Sequence, residues 1–211
     1  MNNGLLIEVC GLDGSGKTTQ ARRIVELLKS KKLPAHYIHP FKNKEWVSKE
    51  LKEIALIYDK TFNEMYSNNV KIDVYSLDLL YNSLVTIKPL LDHNNIVIVD
   101  KYKMDSEVYI PLFTEEDNLF SYSKNLMPDP DIIFFLEIDP LITKKRVDLR
   151  DPQKNNLRES YDYMERANQT FLEVSSRYNM IHIDGTKAIE EITSEIMNYI
   201  EEFIKLEKKY E

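Results

Sequence analysis

The sequence predicts an α/β domain built around a parallel sheet, and three observations carry that expectation. Short apolar runs alternate with segments of helical periodicity along the chain, the pattern of βαβ units. The first run, "LLIEVC", stops at a glycine-rich loop, "GLDGSGKTTQ". A later run, "NNIVIVD", ends in a carboxylate, Asp100. Right-handed crossovers place helices on both faces of such a sheet. Ligands then bind at the carboxyl ends of the strands, where both the loop and Asp100 fall.

The elements follow in order. "LLIEVC" is short and apolar and reads as a buried strand. Ala21, Ile24, Val25 and Leu28 then recur at helical spacing. "PAHYIH" reads as a second strand, and the chain from Lys42 to about Tyr66 as broken helix. Leu77, Leu80, Leu84, Ile87 and Leu91 step by three and four, which predicts one core-facing stripe of a long helix. "NNIVIVD" and "DIIFFLEID" read as fully buried strands, the second bounded by "MPDP" and Pro140. "LITKKRVDLR" reads as a short helix and 151–158 as a polar loop. Tyr163, Ala167, Phe171, Val174 and Tyr178 predict another helix, and "MIHI" a last strand. Ile189, Ile192, Ile196, Ile200 and Phe203 predict a final amphipathic helix.

The bulk numbers exclude several classes. A chain of 211 residues suits one domain with a small lid. Acidic residues outnumber basic ones, 35 to 28, for a net charge of -7. That balance argues against a nucleic-acid partner. No apolar run approaches the roughly 20 residues of a membrane span, and no secretory leader is visible at "MNNGLLIEVC". Cys10 is the one cysteine, so no internal disulfide forms and a reducing, cytoplasmic location is expected. It reads as a small buried hydrophobe. The four histidines show no metal-ligand spacing.

Gly11-x-x-x-x-Gly16-Lys17-Thr18 matches the phosphate-binding P-loop pattern in full. Glycines let backbone N–H groups turn inward around phosphate oxygens. The following helix offers its positive end to the anion. Gly11, Asp13, Gly14, Ser15, Gly16, Lys17, Thr18 and Thr19 are therefore the candidate nucleotide-binding residues. Lys17 can reach the terminal phosphates and the Thr18 hydroxyl can ligate Mg²⁺. Asp100, after a buried strand, is the second candidate magnesium ligand.

With these residues in place the chain resembles the thymidylate kinases. The loop "GLDGSGKTTQ" is similar to theirs, as are the proline after "HYIH" and the "PDPDIIFFLEIDP" segment. Their third strand ends in Asp-Arg-Tyr, where this chain has Asp100-Lys101-Tyr102. "DGTKAIEEI" resembles their adenine-side loop, which brings in Gly185 and Thr186. The resemblance implies a three-layer P-loop kinase fold: a five-stranded parallel sheet with helices on both faces and a short lid. It implies one kinase domain over 1–211, with the lid at about 148–160. It also implies transfer of the ATP γ-phosphoryl group to a nucleoside 5′-monophosphate, with ATP and Mg²⁺ as cofactors, and a homodimer as the family's common assembly. By position, Asp13 approaches the acceptor sugar, Lys101 stands where an arginine touches both phosphates, and Tyr109 packs on the deoxyribose. Phe41 and Lys42 fall on the acceptor side, and Tyr75 is the expected aromatic stack on the base. Gly14 stands where some members carry a catalytic arginine. This chain therefore resembles the members that supply it from the lid, with Arg146, Arg150 and Arg158 as candidates.

The departures lie on the acceptor side. Between Arg23 and Arg146 there is no arginine. Lys42 and Lys101 are candidates for gripping the monophosphate, as point charges without a bidentate fork. The base-reading arginine expected near Leu79 has no heir in sequence, and position 110 is apolar Ile110. Asp78 and Asp105 are acceptors that could take an exocyclic amine, which would imply a base other than thymine. Two alternatives stand beside the kinase reading. A guanine-nucleotide switch would need Asn-Lys-x-Asp late in the chain, and the Asn-Lys of "NKEW" is too early and lacks the Asp. A catalytically weakened or non-nucleotide-acceptor homologue, kept for binding or regulation, would explain the missing arginines. Intact Lys17, Thr18, Asp100 and the lid arginines argue against it.

Overall fold

The computed structural model describes residues 4–40, 46–114, 117–150 and 160–207. Five strands form one parallel sheet in the order β2-β3-β1-β4-β5. They are β1 (Leu5–Gly11), β2 (Ala35–Ile38), β3 (Ile96–Asp100), β4 (Ile132–Glu137) and β5 (Ile181–Asp184). Each matches an apolar run read in the sequence. Both neighbours of β1 are paired in register, with Val9 opposite Asp100 on one side and Gly11 opposite Leu136 on the other. That register sets Asp100 beside the start of the glycine-rich loop.

Alternation along the strands sends side chains to two covered faces. On one face Ile7, Val9, Ile98 and Phe134 pack against α1 (Lys17–Ser30) and α10 (Ile189–Glu207). The apolar residues expected on these two helices are buried, apart from exposed Ile189 and half-buried Phe203. On the other face Cys10 and Phe135 meet α6 (Lys103–Tyr109) and α9 (Tyr161–Arg177). Phe135 stacks on Phe171 with centroids 5.1 Å apart, a pair worth about 0.5–1.5 kcal/mol beyond its burial. Leu6, Val97 and Val99 meet α4 (Asn68–Asn82) on that same face. Two short helices, α2 (Val47–Ile57) and α3 (Phe62–Met65), lead into α4. The α5 (Lys88–Asp92) and α7 (Leu119–Ser123) segments flank β3 in sequence, and α8 (Pro140–Arg150) follows β4. Among the described residues no helix is long and apolar enough to cross a membrane.

The stripe from Leu77 to Leu91 is corrected by the structure. The helix does not run unbroken, because a π-helical turn at Ser83–Ile87 separates α4 from α5. The extra residue in that turn rotates the face. Ile87 and Leu79 are buried, whereas Leu84 is exposed. The buried side of α4 instead holds polar residues with local partners. Asn82 donates to Pro40 O and Asp78 O, both at 2.9 Å, and Ser83 Oγ donates to Leu79 O at 2.7 Å.

Candidate active site

The loop after β1 turns through Gly11, Gly14 and Gly16, all at positive φ. Gly14, at φ 92, is also a point of close approach. A Cβ there would lie 2.9 Å from both Thr143 O and Val147 Cγ2 of α8. An arginine at this position would be strained in backbone and crowded against α8, which fits the expectation that the loop carries none.

The Lys17 side chain folds back onto the loop. Its Nζ donates to Gly11 O at 2.6 Å and Leu12 O at 2.9 Å, with Asp13 Oδ1 at 3.7 Å and Asp105 Oδ1 at 3.9 Å. Within the loop Ser15 is buried, and Thr19 is exposed. At the head of α1 the Thr18 hydroxyl donates to Asp100 Oδ2 at 2.6 Å. The Tyr37 hydroxyl donates to the same oxygen at 2.9 Å. Burial, then the Asp100 charge, pushes the Tyr37 hydroxyl up to about 12, so it remains a donor. His39 Nε2 lies 3.4 Å from Asp100 Oδ1. That oxygen is buried and accepts no hydrogen bond.

Beyond Asp100, Lys101 sits in the left-handed region at φ 59. A non-glycine residue there is strained by about 1–3 kcal/mol and needs over-determined surroundings. Lys101 Nζ reaches Asp13 Oδ1 at 2.8 Å and supplies one such tie. Burial raises the Asp13 carboxyl, but Lys101 and Lys17 more than reverse this and hold it well below the usual carboxylate range. Asp105, one turn into α6, goes the opposite way. It is 2% exposed, neither carboxylate oxygen accepts a hydrogen bond, and burial lifts it to about 7 against the pull of Lys17. The segment that joins Lys101 to Asp105 is held by Glu8 in the middle of β1. Glu8 Oε1 accepts the Met104 N–H at 2.9 Å, and burial, then Asp105, raises its carboxyl well above the ordinary value. Tyr102 is buried and donates to Pro128 O at 3.0 Å.

Against this cluster opens a cavity of about 300 Å³. Asp13, Tyr75, Lys101, Asp105 and Tyr109 line it, so five of the expected acceptor residues meet in one place. Leu79 and Ile110, the two positions where a polar base reader was missing, line it as well. Phe41, Lys42 and Arg158 lie outside the described residues, as does most of the expected lid. Asp78 is corrected. Its buried carboxylate does not line the cavity but caps α2, accepting from the N–H groups of Trp46 at 3.1 Å, Val47 at 2.8 Å and Ser48 at 3.3 Å, and from the Ser48 hydroxyl. A carboxylate bonded in that way is committed to the helix N-terminus.

Arg146 donates to Gly185 O at 3.3 Å, across to the loop after β5. There Gly185 N–H is held by Glu137 O at 2.8 Å, and Thr186 donates to Asp184 Oδ1 through its N–H at 2.9 Å and its hydroxyl at 2.6 Å. Arg146 thus links α8 to the expected adenine-side loop. Arg150 is exposed at the end of α8, near enough for its charge to help lower Asp13. Sequence reasoning did not single out Glu8, which holds the Met104 N–H, or Lys52 and Ser76, which also line the cavity. Glu8 had a signal, an acid inside an apolar strand, whereas Lys52 and Ser76 had none.

The sheet order, the loop and its partner carboxylate define a nucleotide-binding protein of the P-loop kinase class. The family model for thymidylate kinase matches residues 9–196. A probable thymidylate kinase of Archaeoglobus fulgidus is 29% identical over 205 residues, covering 97% of this chain and 98% of that protein. One of Methanocaldococcus jannaschii is 28% identical, covering 95% and 97%. A thymidylate kinase of Legionella pneumophila is 29% identical, covering 96% of each chain. The chain belongs to the thymidylate kinase family. With that membership goes the enzyme class, an ATP-dependent nucleoside monophosphate kinase, and the weakened-homologue alternative is not favoured.

Proposed function

We propose that the protein transfers the γ-phosphoryl group of ATP to a nucleoside 5′-monophosphate in this cavity, thymidylate being the acceptor for which its relatives are named. The observation that carries the reading is Asp13. It belongs to the phosphate-binding loop and also lines the acceptor cavity, so donor and acceptor sites share a wall. Catalysis of this kind is mostly positioning and charge stabilisation. The amides of Gly11–Thr19 and the Lys17 ammonium hold the donor phosphates. Lys101, anchored on Asp13, meets the acceptor phosphate, while Tyr109 and Tyr75 pack on sugar and base. Arg150 and Arg158 close from the lid, about 148–160, of a single domain, and Arg146 steadies the loop at Gly185 and Thr186.

The donor set fits a magnesium ion. The Thr18 hydroxyl and Asp100 touch, and Asp100 Oδ1 is buried without a donor of its own. Among the described residues no cluster of three or more His, Cys, Asp or Glu could hold a metal. Magnesium held by Thr18 and Asp100 would take its remaining ligands from phosphate oxygens and water. When bound, it neutralises charge developing on the phosphates. We also favour a cytoplasmic homodimer without a nucleic-acid partner. Leu56, Ile57 and Tyr58 stand exposed where α2 ends, and such a patch is a ready contact surface.

Production of ADP from ATP and Mg²⁺, with and without each of the deoxynucleoside monophosphates, tests the reading. Acceptor-dependent ADP formation is expected. ADP formation that no monophosphate stimulates would refute it.

A further inference from the structure

Away from the P-loop, the described walls of the cavity come from His39 after β2, Lys101 after β3, and from α2, α4, α9, α6 and the turn after α6. Ile72, Leu79, Ile110 and Phe113 make them largely apolar. Lys101, Asp105 and His39 lie toward the P-loop and Asp100, and Lys52 is the one formally charged side chain that the helices contribute away from that end. Its place follows from the packing of α2 on α4. Trp46 meets Tyr81 with ring centroids 5.0 Å apart, and the Ser48 N–H meets Asp78. The two helices therefore run antiparallel, and one turn beyond Ser48 brings Lys52 level with Tyr75 and Ser76.

Two hydroxyls in these walls have fixed roles. Ser76 Oγ donates to Ile72 O at 2.8 Å, and Ser106 Oγ donates to Tyr102 O at 2.9 Å. A hydroxyl has one proton, so each offers the cavity lone pairs only. Of the two carboxylates that could have taken an exocyclic amine, Asp78 is outside the cavity, and Asp105 lines it at the P-loop end. Asp78 caps α2, and Asp105 stands 3.9 Å from Lys17. The base end therefore offers an ammonium donor beside hydroxyl acceptors.

We propose that Lys52 is a specificity-determining residue. Its ammonium donates to a ring keto oxygen of the acceptor, while a serine hydroxyl of the cavity wall accepts from the adjacent ring N–H. That pattern pairs with the imide edge of thymine or uracil. Cytosine presents the reverse, an amine donor beside an unprotonated ring nitrogen, and would leave the ammonium facing an N–H group. A site built for one pattern rejects the other strongly. An ammonium carries three N–H donors, so a contact to protein leaves others for the base. The inference rests on the nucleotide-acceptor reading above.

The test is steady-state kinetics of the full chain with dTMP, dUMP, dCMP and dAMP, for wild type, Lys52→Met and Lys52→Arg, with thermal melting to establish folding. Lys52→Gln replaces the Met variant if that one melts early. Wild type is expected to prefer dTMP and dUMP. Loss of the charge-assisted bond lowers kcat/KM for those two by roughly 10- to 100-fold, mainly through KM. Turnover of dCMP is expected to change less than about threefold, and Lys52→Arg to retain the preference. An equal loss with all four acceptors would assign Lys52 to the phosphate and overturn the inference. So would an unchanged preference, or a wild type that favours dCMP or dAMP. A folded wild type that phosphorylates none of them would instead refute the kinase reading itself, a separate outcome.

Discussion

The donor and acceptor halves of the site meet at Asp13 but are built differently. The donor half is one contiguous loop plus a carboxylate delivered by the neighbouring strand. Its side chains are tied at short range: Lys17 to Gly11 O and Leu12 O, Thr18 to Asp100. The acceptor half is assembled from His39 after β2, Lys101 after β3, α2, α4, α6, the turn after it and α9. Many of its polar residues serve the scaffold rather than a ligand, as Asp78 does for α2 and Asn82 does for the chain at Pro40. A backbone motif therefore makes the donor half robust in position. The acceptor half depends on how helices pack.

The sharpest break of that comparison is Lys17→Ala. Removal of a preorganised cation from the donor side should lower kcat by roughly 10²–10³-fold, by analogy with the loss of one transition-state donor. The fold should persist, because Lys17 donates its hydrogen bonds only to its own loop and its contact with Asp105 is a longer 3.9 Å ion pair. Stopped-time ADP assays on a variant shown folded by circular dichroism check this. Full activity would mean that the phosphates sit elsewhere.

Asp78→Ala should do the reverse. It removes the cap of α2 and leaves buried N–H groups without an acceptor, at a cost of about 2–3 kcal/mol. Urea denaturation should show that loss. KM for the acceptor should rise while KM for ATP stays near its original value, because α2 lines only the acceptor side. An equal rise in both would show that the two halves are not separable.

Asp105 offers a pH handle across the shared wall. Its carboxyl titrates near 3.8 when unperturbed and is lifted by burial to about 7 in the fold. The folded state thus binds the proton more tightly. Its contribution to stability is full below pH 3.8 and is lost as pH rises through about 7. Asp105→Asn removes that titration. Its melting temperature relative to wild type should climb across this window, and a flat difference would show that Asp105 is ionised throughout. The smallest effect is expected at Arg146→Ala. The single 3.3 Å bond to Gly185 O is long, and its loss should raise KM for ATP only about two- to fivefold. A collapse of kcat would instead make Arg146 the catalytic lid residue.

Legibility followed the same division. The five strands were readable because buried parallel strands are continuous apolar runs. Phosphate-loop residues were readable because their chemistry is confined to nine consecutive positions, Gly11–Thr19. The helix after Ser67 was readable as a helix but not in its facing. A π turn at Ser83–Ile87 shifts the register, and Asp78, Asn82 and Ser83 are buried with hydrogen-bond partners that no periodicity reveals. Asp78 looked like a base acceptor because an aspartate near an expected site looks alike whether it faces a ligand or a helix end.

By itself the amino-acid sequence determined the α/β class, the anion-binding loop and the strand that delivers Asp100. Each of these rests on local backbone conformation or on an unbroken apolar run. Only the tertiary structure decided that Lys52 and Tyr75 line one cavity, that Asp78 is spent on a cap, and that Asp13 and Asp105 face that cavity with opposite ionisation tendencies. Those outcomes depend on burial and on distances between residues far apart in the chain, and neither quantity is written in any single segment.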